Sequence, residues 1–115
     1  MAHYAILIYH DEAQADRLSE AELHDVLAGH RSFQERAGEA VGPNEALDRT
    51  TTATSIRSDG NGGFMVTDGA FAETKEALCG VYFIEAGDLD EAIAMAKQVP
   101  APNGGVEVRP IRRFA

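Results

Sequence analysis

Residues 4–9 read YAILIY and are apolar at every position. Residues 80–84, GVYFI, form a second run of the same kind. A strand with one face in water alternates apolar and polar residues, whereas a strand that is apolar throughout is covered on both faces. The two runs therefore predict two central strands of one sheet.

Two helices are expected to accompany these strands. Ser19 and Glu22 have the spacing of a capping box, and a helical stripe follows them: Leu23, Val26, Leu27, His30, Phe33 and Ala37. Gly38, and then the pair at 42–43, end this helix. Residues 88–91 repeat the capping pattern before a second stripe, which consists of Leu89, Ala92, Ile93 and Ala96.

Three more strands complete the expected fold. Residues 50–57 are rich in β-branched side chains, and the turn at 59–63 connects them to residues 64–67 as a hairpin. Residues 106–114 form the last strand, in which Pro110 requires an edge position or a bulge. The order β-α-β-β-β-α-β predicts one α+β domain over residues 1–115, a ferredoxin-like sandwich with an extra β-hairpin.

The topology also predicts an uncovered surface. Right-handed crossovers place both helices on one face of the sheet and leave the other face bare. Apolar surface in water costs about 25 cal/mol per Å². We therefore expect a homodimer in which two open sheet faces pack together.

Charge and composition argue against several partners. The chain has 19 acidic and 10 basic residues, a formal net charge of -9 and no basic stripe, so nucleic acid is not expected. No apolar run approaches the roughly 18 residues of a membrane span, and we expect no signal peptide. The lone Cys79 fits a reducing compartment. A soluble cytoplasmic protein is expected.

His30 and Asp68 are the candidates for acid/base catalysis. His30 lies on the stripe of the first helix, and an imidazole titrates near neutral pH and can act as a general base. Asp68 ends a strand, where its carboxylate can orient the histidine or act as an acid. We expect the two to meet across a cavity between sheet and helix. The alternative for His30 is a partly buried histidine that is hydrogen-bonded to a neighbour. The alternative for Asp68 is an ordinary Asp-Gly turn in which the carboxylate caps the backbone.

Tyr9 and Tyr82 are candidates for contact with a small-molecule ligand. They lie on the two apolar strands, from which their hydroxyl groups can donate to a molecule between sheet and helix. The alternative is a tyrosine in the core whose hydroxyl is already bonded.

The polar segment at residues 68–76, DGAFAETKE, supplies the other ligand candidates, Glu73 and Lys75. It is long and polar for a connector between two strands, which usually has two to five residues. A solvated charged loop is the alternative. We expect its aromatic residue, Phe71, to be buried as an anchor, with a cost of about 3 kcal/mol on truncation to alanine.

Motifs of metal and cofactor sites are absent from the sequence. His3, His10 and His24 have no spacing with carboxylates that suggests a metal site. There is no P-loop, G-x-G-x-x-G or nucleophile elbow. The glycines at 60–63 join two strands and so lack the helix N-terminus that holds phosphate. Cys79 begins a buried strand and is expected to be inert. We expect no cofactor and no metal.

Several stretches resemble the DGPF proteins, a branch of the YCII-related family. The similar stretches span nearly the whole chain: residues 4–12, 52–57, the hairpin turn, 66–69, 73–76, 80–84 and 106–110. One departure is Ala70, where the family has a proline, so the turn after Gly69 is less rigid.

The resemblance implies a dimeric α/β barrel related to ferredoxin-like folds and a link to extracytoplasmic-function sigma factors. Some distant YCII-related enzymes have a histidine on the first helix and an aspartate proposed as an acid/base pair. Two function classes stay open: a non-catalytic ligand-binding or regulatory module, and a small enzyme that uses His30 and Asp68 on an organic substrate. We favour the module, because the chain offers only one plausible base.

Overall fold

The computed structural model describes residues 2–71 and 74–114. These residues form, in chain order, β1 Ala2–His10, α1 Glu12–Ala15, α2 Glu20–Ala37, β2 Val41–Ala46, β3 Thr54–Ser58, β4 Phe64–Asp68, β5 Ala77–Ala86, α3 Leu89–Ala96 and β6 Gly104–Pro110. Single 3-10 turns at Gly38–Ala40 and Thr50–Thr52 precede β2 and β3.

Four strands form one antiparallel sheet in the order β2-β5-β1-β6. The two apolar runs lie in its central strands, as predicted, with Ile6 opposite Tyr82 and Tyr4 opposite Ile84. β6 lies at an edge and ends at Pro110, where a proline is tolerated. This antiparallel sheet with its helices is consistent with a ferredoxin-like α+β fold.

One face of the sheet carries the core. Tyr4, Ile6 and Ile8 alternate along β1 and are buried, and Phe33 of α2 packs with them at 1% exposure. The cluster is completed by Tyr82, Ile84, Ala86, Ala92, Ala96 and Val99. Burial of a large apolar side chain is worth about 1.5–3 kcal/mol, so this face determines where α2 and α3 dock.

The other face of the sheet follows from the alternation of side chains along each strand. Leu7 lies opposite Val81, and Tyr9 lies opposite Leu78 beyond a register shift. Phe83, opposite Ala5, is exposed. We call the surface formed by Leu7, Tyr9, Leu78, Val81 and Phe83 the open face, because the core and its helices lie on the other side.

Strand β2 was not predicted from the sequence. Its sequence, VGPNEA, contains glycine, proline and asparagine, which are depleted in strands. β2 forms an edge of the sheet, and its pairing with β5 is interrupted between Val41 and Asn44, around Pro43. An edge with a bulge accommodates a residue that cannot donate to the ladder.

The hairpin predicted from residues 50–67 forms, but it lies outside the main sheet. Thr50–Thr52 is a 3-10 turn, and in the described part of the chain β3 pairs with β4 alone, as a two-stranded sheet. We call residues 54–68 the arm. The chain has a radius of gyration of 16.3 Å, against about 13 Å for a compact domain of this length, and extents of 48 × 46 × 18 Å.

Polar contacts hold the segment before the arm to α1. The carboxylate of Glu12 accepts hydrogen bonds from the backbone amide and the hydroxyl of Thr50. Arg49 forms an ion pair with Asp16. The hydrogen bonds from Thr50 lower the pKa of Glu12, and the hydrogen bond from Arg49 lowers that of Asp16.

The helix starts confirm their predicted caps. The Ser19 hydroxyl accepts a hydrogen bond from the Glu22 amide at 3.1 Å, and the Glu22 carboxylate accepts one from the Ser19 amide at 3.0 Å. Asp88 caps α3 by accepting a hydrogen bond from the Glu91 amide at 2.9 Å, and the Glu91 carboxylate accepts one from the Gly87 amide at 3.0 Å. No helix in the described part of the chain is long and apolar enough to cross a membrane.

Three other expectations need correction. The last strand ends at Pro110 and does not continue to residue 114. The described residues of the segment 69–76 form neither helix nor strand, so this part of the chain is a connector. Phe71 is 62% exposed and stacks under the Arg57 guanidinium at 4.4 Å from the ring centre, so the prediction of a buried anchor was wrong.

Candidate functional site

A cavity of about 430 Å³ lies between α2 and the sheet. This volume is within the range of small-molecule sites. Its lining is mostly apolar and comes from α2, from β2 and β5, and from the segment after α3. The lining includes Leu23, Val26, Leu27, His30, Gln34, Cys79 and Tyr82.

The stripe of α2 faces this cavity for much of its length. Phe33 is buried in the core, whereas Leu23 and Leu27 are about half exposed along the cavity. Helical spacing correctly identified the side chains that face the sheet. It did not show that α2 stands off the sheet at its N-terminal half, because that distance depends on how the helix docks.

His30, Gln34 and Tyr82 form a hydrogen-bonded polar group in the cavity, whose lining also includes His10, Asn44 and Glu45. His30 Nδ1 lies 2.8 Å from the Tyr82 hydroxyl, and Gln34 Nε2 donates to the same hydroxyl at 3.2 Å. The His30 and Tyr82 rings stack at 5.9 Å between centres, and Phe33 packs edge-on against Tyr82 at 5.0 Å. Tyr82 is buried, so its aromatic neighbours and hydrogen bonds hold the hydroxyl in one position.

The polar group is electrically neutral at neutral pH. Burial lowers the pKa of His30 from its ordinary value, because desolvation disfavours the imidazolium. No carboxylate in the described residues forms an ion pair with His30. A neutral imidazole beside a tyrosine hydroxyl is therefore the resting state of the site.

The geometry allows two arrangements of hydrogen atoms. When the Tyr82 hydroxyl donates to Nδ1, the second ring nitrogen of His30 carries the hydrogen and is a donor. When Nδ1 donates to the hydroxyl, the second ring nitrogen is an acceptor and the Tyr82 hydrogen is free. The same side chains can thus bind a hydroxyl group or a carbonyl group of a ligand.

The structure brings His30 and Tyr82 together and leaves the other candidates elsewhere. Asp68 is exposed at the end of β4, opposite Thr54 in the arm, and does not line the cavity. No hydrogen bond or ion pair between His30 and Asp68 occurs in the described residues. The expected approach of these two side chains is therefore not seen.

The remaining ligand candidates are also outside the cavity. Tyr9 lies on the open face of the sheet, because β1 alternates its side chains and Tyr82 is on the helix side. Lys75 is exposed in the connector before β5. Glu73 lies outside the described residues.

Gln34 is the polar residue of the site that the sequence analysis missed. It lies four residues after His30, which places both side chains on the same face of the helix. This spacing could have predicted that Gln34 lies beside His30. Without a partner on the sheet, however, the glutamine looked like an ordinary solvated residue.

The chemistry of the cavity also depends on the thiol in its lining and on whether metal ligands are present. Burial raises the pKa of Cys79, and the nearby charge of Glu12 acts in the same direction, so the thiol stays protonated and is a poor nucleophile. In the described ranges, no three His, Cys, Asp or Glu side chains form a cluster that could hold a metal ion. The site therefore offers hydrogen bonding and apolar contact.

Comparison with known proteins identifies relatives along the full chain. Residues 2–115 match the profile of the YCII-related domain. An uncharacterized protein of Rhizobium meliloti (strain 1021) is 39% identical over 116 residues, which cover 96% of this chain and 93% of that protein.

Proposed function

Because the chain belongs to the YCII-related family, whose profile spans the cavity and both of its walls, we propose that it is a small-molecule binding module. The ligand is a small, mostly apolar, uncharged molecule with one hydroxyl or carbonyl group. The observation that carries this proposal is the neutral His30–Tyr82–Gln34 group in a mostly apolar cavity. An anionic ligand would lose its hydration there without gaining a counter-charge from these three side chains.

The binding role is better supported than an acid/base enzyme that uses His30 and Asp68. A lowered pKa makes the imidazole a weaker base, and the described contacts of His30 include no acid that would offset this effect. Asp68 lies in the arm, away from the residues that line the cavity. The enzyme remains the alternative proposal.

A binding assay with 2-naphthol and naphthalene tests the module. Both probes are uncharged and apolar, and only the first has a hydroxyl group. We expect Tyr82→Phe and His30→Gln each to weaken 2-naphthol binding by about fivefold, the effect of one net hydrogen bond, and to leave naphthalene binding unchanged. His24→Gln, on the exposed part of the same helix, is the control and should change neither.

Calorimetry or the fluorescence of the naphthyl ring gives the dissociation constants. If the wild-type protein binds neither probe, or if His30→Gln and His24→Gln have equal effects, the proposal is wrong. Preference for 2-naphthoate over 2-naphthol would show that the site is built for an anion.

We extend the proposal to the biological setting that the resemblance to the DGPF branch implies. Ligand binding by this cytoplasmic module would then feed a circuit with an extracytoplasmic-function sigma factor. The support is the resemblance of the stretches at 66–69 and 73–76 together with the ligand-sized cavity. A reporter driven by the sigma factor should lose its response to the ligand with His30→Gln and retain it with His24→Gln.

We also propose that the module is a homodimer through the open face. Phe83 and Leu78 are exposed there, and Leu7, Tyr9 and Val81 are partly exposed, so one copy alone leaves apolar sheet surface in water. Light scattering at micromolar concentration should give twice the mass of the chain. A monomer under these conditions would refute the dimer and leave the cavity proposal untouched.

A further inference from the structure

The arm has one distinctly apolar face. Directly paired residues share a face of a hairpin, and the register pairs Ile56 with Val66 and Ser58 with Phe64. Ile56, Phe64 and Val66 are 56%, 72% and 64% exposed. Three large apolar side chains thus form one stripe that this chain leaves in solvent.

The opposite face of the arm differs in chemistry. Ser55 is buried, and its hydroxyl donates to the carbonyl of Gly69 at 2.6 Å. Arg57 covers the ring of Phe71. Met65 is the large apolar residue of β3 and β4 on this face. One side of the arm therefore carries polar residues and the side chains that contact the segment after β4. The other side carries the uncovered apolar stripe.

We propose that the arm clasps a second copy of this chain and that Ile56, Phe64 and Val66 pack on the open face of the partner. The inference rests on the homodimer proposed above. It adds an exchange of arms in which each copy supplies one stripe and receives the other.

The exposed area supports this partner. Exposed side chains of this size leave on the order of 100 Å² each, so the stripe supplies roughly 300 Å² of apolar surface. The five residues of the open face, most of them only partly exposed, supply about as much again. A standard interface buries about 800 Å² per partner, and about 65% of this area is apolar in homodimers. The stripe and the open face together supply this apolar area, whereas neither surface supplies it alone.

The position of the arm gives it the necessary reach. The Leu47 amide donates to the Cys79 carbonyl at the end of the β2–β5 pair, and the Gly69 amide donates to the Ala53 carbonyl at the start of the arm. The arm therefore lies beyond the end of the β2–β5 pair, outside the main sheet. A two-fold axis that turns the two open faces toward each other would carry each arm past the edge of its own sheet and over the open face of its partner.

The net charge argues against one alternative occupant of the stripe. The chain carries a formal net charge of -9, which disfavours an anionic lipid surface as the occupant of an apolar stripe. The striped face of the arm has a single charged residue, Asp68, at its base. The stripe itself therefore brings little charge to an interface between two acidic copies.

Paired variants on the two faces of the arm test the inference. Phe64→Gln with Val66→Gln removes two of the three apolar side chains of the stripe, and Met65→Gln with Thr67→Gln places the same side chains on the opposite face of the same strand. We expect the first pair to raise the dimer dissociation constant by about 100-fold or more, since two anchors are lost in each of two symmetric arms. The second pair should change it less than about threefold. Sedimentation equilibrium gives both constants.

Cross-linking locates the stripe on the partner. In a Cys79→Ala background, copies with Val66→Cys are mixed with copies with Phe83→Cys and oxidised mildly. A disulfide-linked pair of unlike copies is expected, and Met65→Cys in place of Val66→Cys should give little of it. This readout still decides the matter if the glutamine variants lose their circular dichroism spectrum.

The outcomes separate the two proposals. A wild-type monomer refutes both the homodimer and the arm exchange. A dimer whose dissociation constant is the same with and without the stripe, or that gives no preferential cross-link from position 66, refutes the arm exchange alone. Capture of a different protein by the stripe, with the dimer unaffected, also refutes it.

Discussion

At the scale of single residues, Tyr82 organises the candidate site. Its hydroxyl contacts both His30 and Gln34, and its ring packs between His30 and Phe33. A tyrosine in a central strand is usually a core residue with a bonded hydroxyl. Here the hydrogen bond with Tyr82 places the imidazole of His30 at the wall of a cavity. Tyr82 can therefore be a core residue and also contact a ligand.

His30 should make the stability of the protein depend on pH. Its pKa is lowered in the folded state, so the unfolded chain binds more protons between the folded pKa and the unfolded value of about 6.5. Stability is therefore full above the unfolded pKa and falls as pH drops from about 6.5 to the folded value. Urea unfolding across this range should show the slope, and His30→Gln should reduce it.

An NMR titration of the His30 ring provides the direct check. We expect a midpoint below the ordinary histidine value of about 6.5. A midpoint above that value would indicate an acidic partner and would revive the acid/base proposal.

Phe71 should contribute little to folding. Its ring is mostly exposed, and its described contact is with the guanidinium of Arg57, an interaction worth about 0.5–1 kcal/mol at an exposed site. Phe71→Ala is expected to lower the free energy of unfolding by less than about 1 kcal/mol, whereas Phe33→Ala should cost about 3–5 kcal/mol. Chemical denaturation of both variants measures the difference, and similar costs would mean that Phe71 is buried after all.

At the scale of secondary structure, strand β6 depends on a close approach of two backbones. A Cβ atom at Gly104 would lie 1.9 Å from the Tyr9 carbonyl oxygen and 2.7 Å from the His10 Cα. Both neighbours are backbone atoms of β1, which cannot rotate away. A glycine is therefore required where β6 begins to pair with β1.

Gly104→Ala should destabilise the protein by about 2 kcal/mol or more through this overpacking. Gly105→Ala is the matched control, because apart from its two chain neighbours no described residue has an atom within 4 Å of the added Cβ atom, and its effect should stay within about 0.5 kcal/mol. Thermal unfolding of the two variants measures the contrast. Equal shifts would show that the β1–β6 approach is looser than described.

At the scale of the whole molecule, the chain is flat and extended and carries a large negative charge. Two such copies repel each other, and added salt screens that repulsion. An interface made mainly of apolar side chains loses little when salt is added.

Dimerisation should therefore become tighter as salt increases. Between about 0.01 M and about 0.15 M ionic strength the screening length falls from about 30 Å to about 8 Å. Sedimentation equilibrium at the two concentrations should give a smaller dissociation constant at the higher one. Weakening by salt would indicate that ion pairs, such as those available to Glu107 and Arg109, hold the interface.

The sequence by itself determined the elements whose signal is local. The apolar runs at residues 4–9 and 80–84, the capping boxes and the glycine turn at 59–63 each act over a few neighbouring residues, so pattern reading placed the central strands, two helices and the hairpin. His30 and Tyr82 could be proposed in the same way, from a helical stripe and an apolar strand.

Only the tertiary structure decided how these pieces meet. β2 has a poor strand sequence and exists because β5 offers it an edge to pair with. Asp68 was assigned to His30 on the assumption that its strand belongs to the main sheet, whereas that strand pairs within the arm. The contact between His30, Gln34 and Tyr82 joins residues 48 and 52 positions apart, and such distant contacts depend on how the helix docks on the sheet, which no local pattern encodes.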